Sequence, residues 1–462
     1  MKLPLLIIGA LTLGLPLWAA PGTPLDKDGT TVQDNFGEAV QDETAADSLS
    51  DEAAQTAGSI SLSLAEAQQY ALDHNRTLKN ATLDVQKAKA AKWQAIASML
   101  PQVSASGDYS NYCGYEMNFG AMSMAMPTSG TLGVTASVAL SGAQIISAKL
   151  SQIAMDMSDV TLLQNEKQIA DQVKTLYYSA LVMEQTVTLL ESNLDNMNQL
   201  YKYTEESVKV GVSEQTDADQ LLVQLATMQT SIRSSQRSLE MVYNSMRLQL
   251  GIDVETEIKL TQTIDELLNI EAAAALMGEE FVLDNNYSYQ LLKQNTELAK
   301  QQVNVAKWNY GPTLSAYYQY SAKTYFGQEE GFNMTPPNMV GATLSVPIFS
   351  SLSRLKGVQS AKFDYEKQLN TLQDTQDALL VQHRQLCFNL SNAYETYETQ
   401  KKNIDVTQRV FDNISNKYEY GAASSLDLTN AGTNLISAQS SYVQALMELV
   451  NAQISLEELL NK

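Results

Sequence analysis

Two aspartates at matched places in this 462-residue chain, and a tyrosine close to one of the turns that precede them, are suited to ionic or hydrogen-bonding chemistry together. Asp217 stands six residues after Gly211, and Asp427 stands six residues after Gly421. Wherever such carboxylates gather they repel, and hydrogen bonds or a bound cation must relieve the repulsion. Tyr418, three residues before Gly421, offers a phenol donor with Asp217 as its expected acceptor. The plainer role for each aspartate is to begin a helix, where the positive end of the dipole favours a carboxylate by about 0.3–1 kcal/mol. A second cluster is made of sulfur: Met122, Met124 and Met126 alternate beside Met117. On a strand that spacing puts three thioethers on one face, and thioethers suit Cu(I) or Ag(I). The plainer role here is apolar filling or contact with lipid.

Catalytic chemistry has no such footing. CxxC, HExxH, Walker and GxSxG arrangements are absent, so no enzyme activity and no cofactor are expected. His74 and His383 stand alone in the sequence. Cys113 and Cys387 are far apart; a disulfide is open to them, but two packing cysteines are expected. A net charge of −22 argues against a nucleic-acid partner, and around a pore it would favour cations.

Residues 1–20 read as a secretory signal: Lys2, an apolar run from Leu3 to Leu17, then Trp18-Ala19-Ala20 as a small-residue cleavage site. No cysteine follows the run, which argues against a lipid anchor. Residues 21–60 are acidic, poor in large apolar side chains and without helical period, so disorder is expected there. No later stretch is apolar enough for a membrane helix, which leaves a β-barrel as the way to span a membrane.

The rest is one unit written twice, with a spacing of about 210 residues. Asn193-Leu194-Asp195 is answered by Asn403-Ile404-Asp405, and Lys209-Val210-Gly211 by Glu419-Tyr420-Gly421. The first repeat spans 61–251, a linker 252–283, and the second repeat 284–462. Each contains a heptad seam, from Val173 through Ala180, Val187 and Met197 to Val208, and from Leu386 through Ala393, Tyr397 and Phe411 to Tyr418. Helices of this kind pack side by side, and Gly211 and Gly421 turn them back, so hairpins are expected over 142–250 and 352–461. Their long arms would each reach roughly 100 Å at about 1.5 Å per residue. Such a length suits a structure that bridges a gap.

Four stretches instead alternate with period two, at about 102–112, 131–140, 313–322 and 339–348. Alternation over about ten residues fits transmembrane barrel strands, and also a soluble sheet with one buried face. Tyr109, Tyr112, Tyr115, Phe119, Tyr325, Phe326 and Phe332 gather at the strand ends as a girdle would. Four strands cannot close a barrel, so the chain must assemble with copies of itself.

The duplicated helix–strand–strand–helix unit, the turn Tyr418-x-x-Gly421-x-x-x-x-x-Asp427 and the strand exit Ser345-Val346-Pro347-Ile348-Phe349 resemble the TolC family of outer membrane efflux proteins over residues 60–462. The resemblance implies a mainly α fold with a small transmembrane β part. It implies a homotrimer whose twelve strands form one barrel and whose helices form an α-barrel tunnel across the periplasm. It implies outer-membrane lipid, a periplasmic adaptor and an inner-membrane pump as partners, for efflux or protein secretion. Residues Gly211, Val212, Ser213, Gly421, Ala422, Ala423 and Ser424 match the tips that meet the adaptor, and Asp217, Tyr418 and Asp427 match the periplasmic gate. Ala423 replaces an arginine of some members, and Asn430 an acidic residue. The competing reading is a periplasmic coiled-coil adaptor or scaffold without a pore, which would carry one hairpin rather than two.

Overall fold

Two helices of 68 and 67 residues dominate the computed structural model, which describes residues 58–120, 122–267, 275–326 and 336–462. The expected leader, nearly all of the acidic segment, and Phe332 lie outside the described residues. The first repeat runs β1 (Ser59–Leu62), α1 (Leu64–His74), α2 (Arg76–Ala97), β2 (Gln102–Ser110), β3 (Glu116–Phe119), β4 (Met122–Ala125), β5 (Thr128–Ser141), α3 (Gly142–Lys209) and α4 (Gln215–Leu250). Next come β6 (Glu257–Leu260) and α5 (Ile264–Leu267). The second repeat runs α6 (Tyr287–Trp308), β7 (Thr313–Phe326), β8 (Asn338–Ser345), α7 (Ser353–Glu419) and α8 (Ser425–Leu460).

The heptad seams are the buried lines of the long helices. Val173, Ala180, Val187, Met197 and Thr204 are buried on α3, as are Leu390, Ala393, Tyr397, Phe411 and Tyr418 on α7. α3 packs along α4, and α7 along α8. From Tyr177 to Val182 the seam gives way to burial on nearly every side of α3. Here β1 and β6 form a parallel pair, and the buried Tyr177 hydroxyl donates to the Leu62 carbonyl at 3.0 Å. Residues 59 and 60, expected within the disordered segment, therefore belong to an ordered strand with Ile258 and its neighbours as partners. Lys167 donates to buried Asp171 at 2.6 Å, and Lys174 pairs with Glu457, which ties α3 to α8 at the same level.

Four strands form one antiparallel sheet in the order β2-β5-β7-β8. Pro101 and Pro312 stand immediately before β2 and β7, where a residue without an N–H donor separates helix from strand. β8 ends at Ser345, short of the expected 348, because its ladder ends opposite Thr313, and Pro347 has no N–H to extend it. β2 ends at Ser110, two residues early, where a tight turn at Cys113-Gly114 takes over. Cys113 is exposed rather than packed. Cys387 is half-buried, its Sγ 3.6 Å from His383 Nε2, and burial raises its thiol pKa.

Trp308 sits where the sheet meets the helices. A Cβ at Gly142, the first residue of α3, would lie 2.3 Å from its ring. Gly142→Val should therefore displace the ring and cost about 1–3 kcal/mol, the usual penalty for overpacking. A lowered thermal midpoint of the purified protein, partly restored by adding Trp308→Ala, checks this.

Candidate functional site

Directly opposed residues in an antiparallel sheet share a face, so the register sorts the sheet into two sides. Val103, Ala136, Tyr318 and Val340 make one row; Ala105, Val134 and Tyr320 the next; Gly107, Leu132 and Ala322 the one beyond. Towards the helices the same side continues with Val138, Ala316 and Ala342, then Leu140, Leu314 and Leu344. This side carries no charge. The opposite side carries Ser104, Thr135 and Gln319 in one row and Asp108, Thr131 and Lys323 in another. Among the described residues nothing covers the apolar side: Val103 is 71% exposed, Leu132 70% and Val340 79%. From Leu314 to Ala322 the apolar rows span about nine residues, close to what a tilted strand needs to cross a bilayer. Aromatic side chains mark both limits, with Tyr109 against Phe326 at 6.1 Å between ring centroids and Trp308 with Tyr310 at the helical end.

At the far ends of the long helices the two repeats reproduce one turn. Gly211 and Gly421 adopt φ of +81° and +71°. Val212 N–H reaches back to the Ser207 carbonyl at 2.9 Å, and Ala422 N–H to that of Lys417 at 2.7 Å. With the shorter bonds from Gly211 to Val208 and Gly421 to Tyr418, both are Schellman caps, which need the left-handed conformation glycine adopts most readily. Val212, Ala422 and Ser424 are exposed, while Ser213 and Ala423 are half-buried.

Asp217 and Asp427 each sit at the third position of the returning helix and accept the N–H of the residue that caps it, Glu214 at 3.2 Å and Ser424 at 3.1 Å. The helix-start role is therefore real for both. Ser424 Oγ also donates to Asp427 at 2.7 Å, and these two bonds hold the exposed Asp427 carboxyl below the usual carboxylate range. Asp217 does more: its other oxygen accepts the hydroxyl of Ser425, at the start of α8.

Tyr418 does not meet Asp217. Its phenol lies 2.8 Å from Thr204 Oγ1, whose own proton goes to the Leu200 carbonyl, so Tyr418 is the donor. Thr204 is fully buried in the α3 seam, and a hydroxyl there draws the phenol inward because a buried polar group must be paired. Beside it Tyr203 donates to the Glu419 carbonyl at 2.6 Å, and its ring meets that of Tyr418 edge-on. Thr204, Tyr203 and Ser425 thus join the two tips. Of these three only Thr204 lies on the heptad seam, where a hydroxyl among mostly apolar positions is a signal the sequence carries. An apolar cluster including Met197, Leu200, Leu225, Phe411 and Leu428 backs these contacts. Beside it a groove of about 700 Å³ runs between α4 and α8, and buried Gln224 Oε1 and Thr429 Oγ1 on its wall have no hydrogen-bond partner among the described residues.

An uncovered apolar sheet beneath two long hairpins is what a chain needs to hold a tunnel in a membrane. The outer membrane efflux protein family matches residues 67–251 and 281–462. The chain belongs to that family. It is similar to the outer membrane protein TolC of Escherichia coli, 22% identical over 86% of this chain and 82% of that protein. The fold is shared with the outer membrane channel CmeC of Campylobacter jejuni, at 16% identity, a TM-score of 0.72, and coverage of 86% of this chain and 85% of that one. It is also shared with VceC of Vibrio cholerae, at 17% identity, a TM-score of 0.70, and coverage of 86% and 95%. This family member is an outer-membrane efflux channel subunit, located in the outer membrane and extending into the periplasm. Two long hairpins and a four-stranded sheet leave nothing to favour the adaptor alternative.

Ser424→Ala should cost the start of α8 about 1 kcal/mol, as lost caps do. Hydrogen exchange at the first turn of α8 should rise, with α4 unaffected. A depressed carboxyl stabilises above its ordinary pKa of 3.8, so in the wild type this protection should hold at neutral pH and fade only as pH drops through the lowered value.

Proposed function

We propose that three copies of this chain close one twelve-stranded barrel and one helical tunnel, through which solutes delivered by a periplasmic adaptor and an inner-membrane pump leave the cell. One observation carries the proposal: β2 and β8 bound the sheet, and each has one unpaired edge beside the uncovered apolar face. In lipid such edges must be paired, and a second copy offers the matching one. Exposed apolar side chains along α7, among them Phe363, Val381 and Phe388, supply further surface for association. Light scattering on the detergent-solubilised protein should give the mass of three chains. A stable monomer would overturn the reading.

The tips serve as gate and adaptor contact. Asp217, Tyr418 and the residues they meet hold the first hairpin against the second, so opening requires Ser425 to leave Asp217 and Tyr418 to leave Thr204. Asp427 is exposed, and three copies around an axis would present a ring of carboxylates to passing ions. In planar bilayers, Asp217→Ala and Tyr418→Phe should raise single-channel conductance, and Asp427→Ala should weaken cation selectivity. Wild-type traces from all three would leave these residues as helix caps and core.

The adaptor meets Gly211 to Ser213 and Gly421 to Ser424. A Cβ at either glycine would meet nothing within 4 Å, so the backbone is open to approach, and the groove between α4 and α8 continues from it. Ala422→Arg should abolish export while leaving trimer yield unchanged. It is a cleaner test than a change at Gly421, whose positive φ would strain any side chain.

A further inference from the structure

The four helices that join the sheet stand side by side in the order α2-α3-α6-α7, matching the strands β2-β5-β7-β8 above them. Over the eleven helical residues nearest the sheet, each of these helices carries basic side chains and no acidic one. α2 contributes Lys87, Lys89 and Lys92, α3 contributes Lys149, α6 Lys307 and α7 Arg354, among nine basic residues in all. The first acidic residues met on leaving the sheet are Asp84, Asp156, Glu297 and Asp364. So nine of the chain's 30 basic residues and none of its 52 acidic ones fall in this band, although the net charge is −22. The band is about 16 Å deep, from the rise of an α-helix. Salt screens exposed charges beyond about 8 Å, so the acids farther down the helices leave most of the band uncancelled. At the other end of the sheet the connections have the opposite sign. Residues 111–127 hold Glu116 and residues 327–337 hold Glu329 and Glu330, with no Lys or Arg in either stretch. Of the methionines expected to hold a metal there, Met122 and Met124 have side chains outside the described residues.

Lys87, Lys89, Lys149 and Lys307 are exposed. Of the nine basic residues only Lys300 forms an ion pair among the described residues, with Glu297 at 3.1 Å. Packing relates the band to the apolar side of the sheet. Ile145 and Trp308 line one shallow apolar pocket with Leu140, Leu314 and Leu344, the last row of that side. They continue the apolar side onto the helices, and Lys149 stands one turn beyond Ile145 on the same helix face. α2 repeats the spacing, with Lys89 one turn from Trp93, which is 63% exposed. At the start of α7 the Arg354 guanidinium lies over the Tyr310 ring, 5.8 Å from its centroid. An apolar or aromatic residue beside the sheet, then a cation one turn on, is the order in which a bilayer presents hydrocarbon and then phosphate. Lysine and arginine suit that boundary, since their stems lie on apolar surface while the charge stays in water. We infer that this band is a docking surface for the phosphate headgroups of the membrane leaflet on the helical side, and that it prefers lipids of net negative charge to zwitterionic ones. The inference rests on the sheet lying in the outer membrane, and not on the trimer or the gate.

The test mixes the detergent-solubilised full chain with equal amounts of phosphatidylglycerol and phosphatidylethanolamine and counts each lipid retained per chain by native mass spectrometry. Phosphatidylglycerol should exceed phosphatidylethanolamine about fivefold at low salt. The excess should shrink in parallel titrations as salt shortens the screening length towards about 3 Å at 1 M. Lys87→Gln, Lys89→Gln, Lys92→Gln, Lys149→Gln and Lys307→Gln together should bring the two lipids to parity. Glutamine suits a helix as well as lysine does, so the thermal midpoint in lipid-free detergent should stay unchanged. Equal retention of the two lipids by the wild type, a reading that needs no variant, would overturn the inference, as would an undiminished excess in the variant. Two other outcomes also overturn it. Loss of the excess on adding inorganic phosphate at the lipid's own concentration would mean that the band binds free anions. Altered ion selectivity of the variant in planar bilayers of neutral lipid, with its phosphatidylglycerol retained, would mean that the lysines line the tunnel. Lipid is counted per chain, so a monomer on light scattering would overturn the trimer and leave this result readable by itself.

Discussion

Every backbone N–H and C=O on the rim of a sheet needs a partner, and in a bilayer water cannot supply one. The outer edges of β2 and β8 carry this demand, and much of the rest of the molecule follows from it. Four strands per chain are too few to satisfy the rule alone, so the chain is built to be incomplete. Its apolar sheet face, costly to leave in water at about 25 cal/mol per Å², turns the same incompleteness into a membrane anchor. The helices then carry the symmetry of the sheet downwards, since α3 follows β5 with no intervening residue and α7 follows β8 after a short exposed exit.

Strength is distributed unevenly along those helices. Around Tyr177 to Val182, α3 is surrounded by β1, β6, α1 and α8, with a hydroxyl bond from Tyr177 and the charge pair of Lys174 with Glu457 to hold the layers. Below this collar the helices touch mainly along their seams, as coiled coils do. At the tips the apolar cluster is small, and the contacts between hairpins reduce to a few hydroxyls and one carboxylate. The hairpins are thus joined most firmly at the collar and most thinly at the tips, where local opening costs least.

Duplication gave the tips equivalent frames and different chemistry. Both turns are Schellman caps closed by glycine, and both returning helices begin with an aspartate at the third position. Yet Tyr418 has Val208 as its counterpart in the first repeat, and Asp217 is bonded across to Ser425 while Asp427 is bonded only within its own cap. At two of the contacts between them the second hairpin is thus the donor and the first the acceptor.

What the sequence determined by itself is whatever repeats over short distances. Heptad spacing fixed which line of α3 and α7 is buried, alternation fixed which residues of β2, β5, β7 and β8 share a side, and Gly211 and Gly421 marked the turns, because each of these is set within a few residues of chain. The tertiary structure decided what depends on distant partners. Tyr418 finds Thr204 from 214 positions away, and Asp217 finds Ser425 from 208. β1 pairs with β6, and β8 stops at Ser345 because β7 has no residue left to pair with it. No local pattern records such choices. They follow from which hydroxyl, carbonyl or strand edge happens to lie opposite once two helices 100 Å long have been laid side by side, at about 1.5 Å per residue.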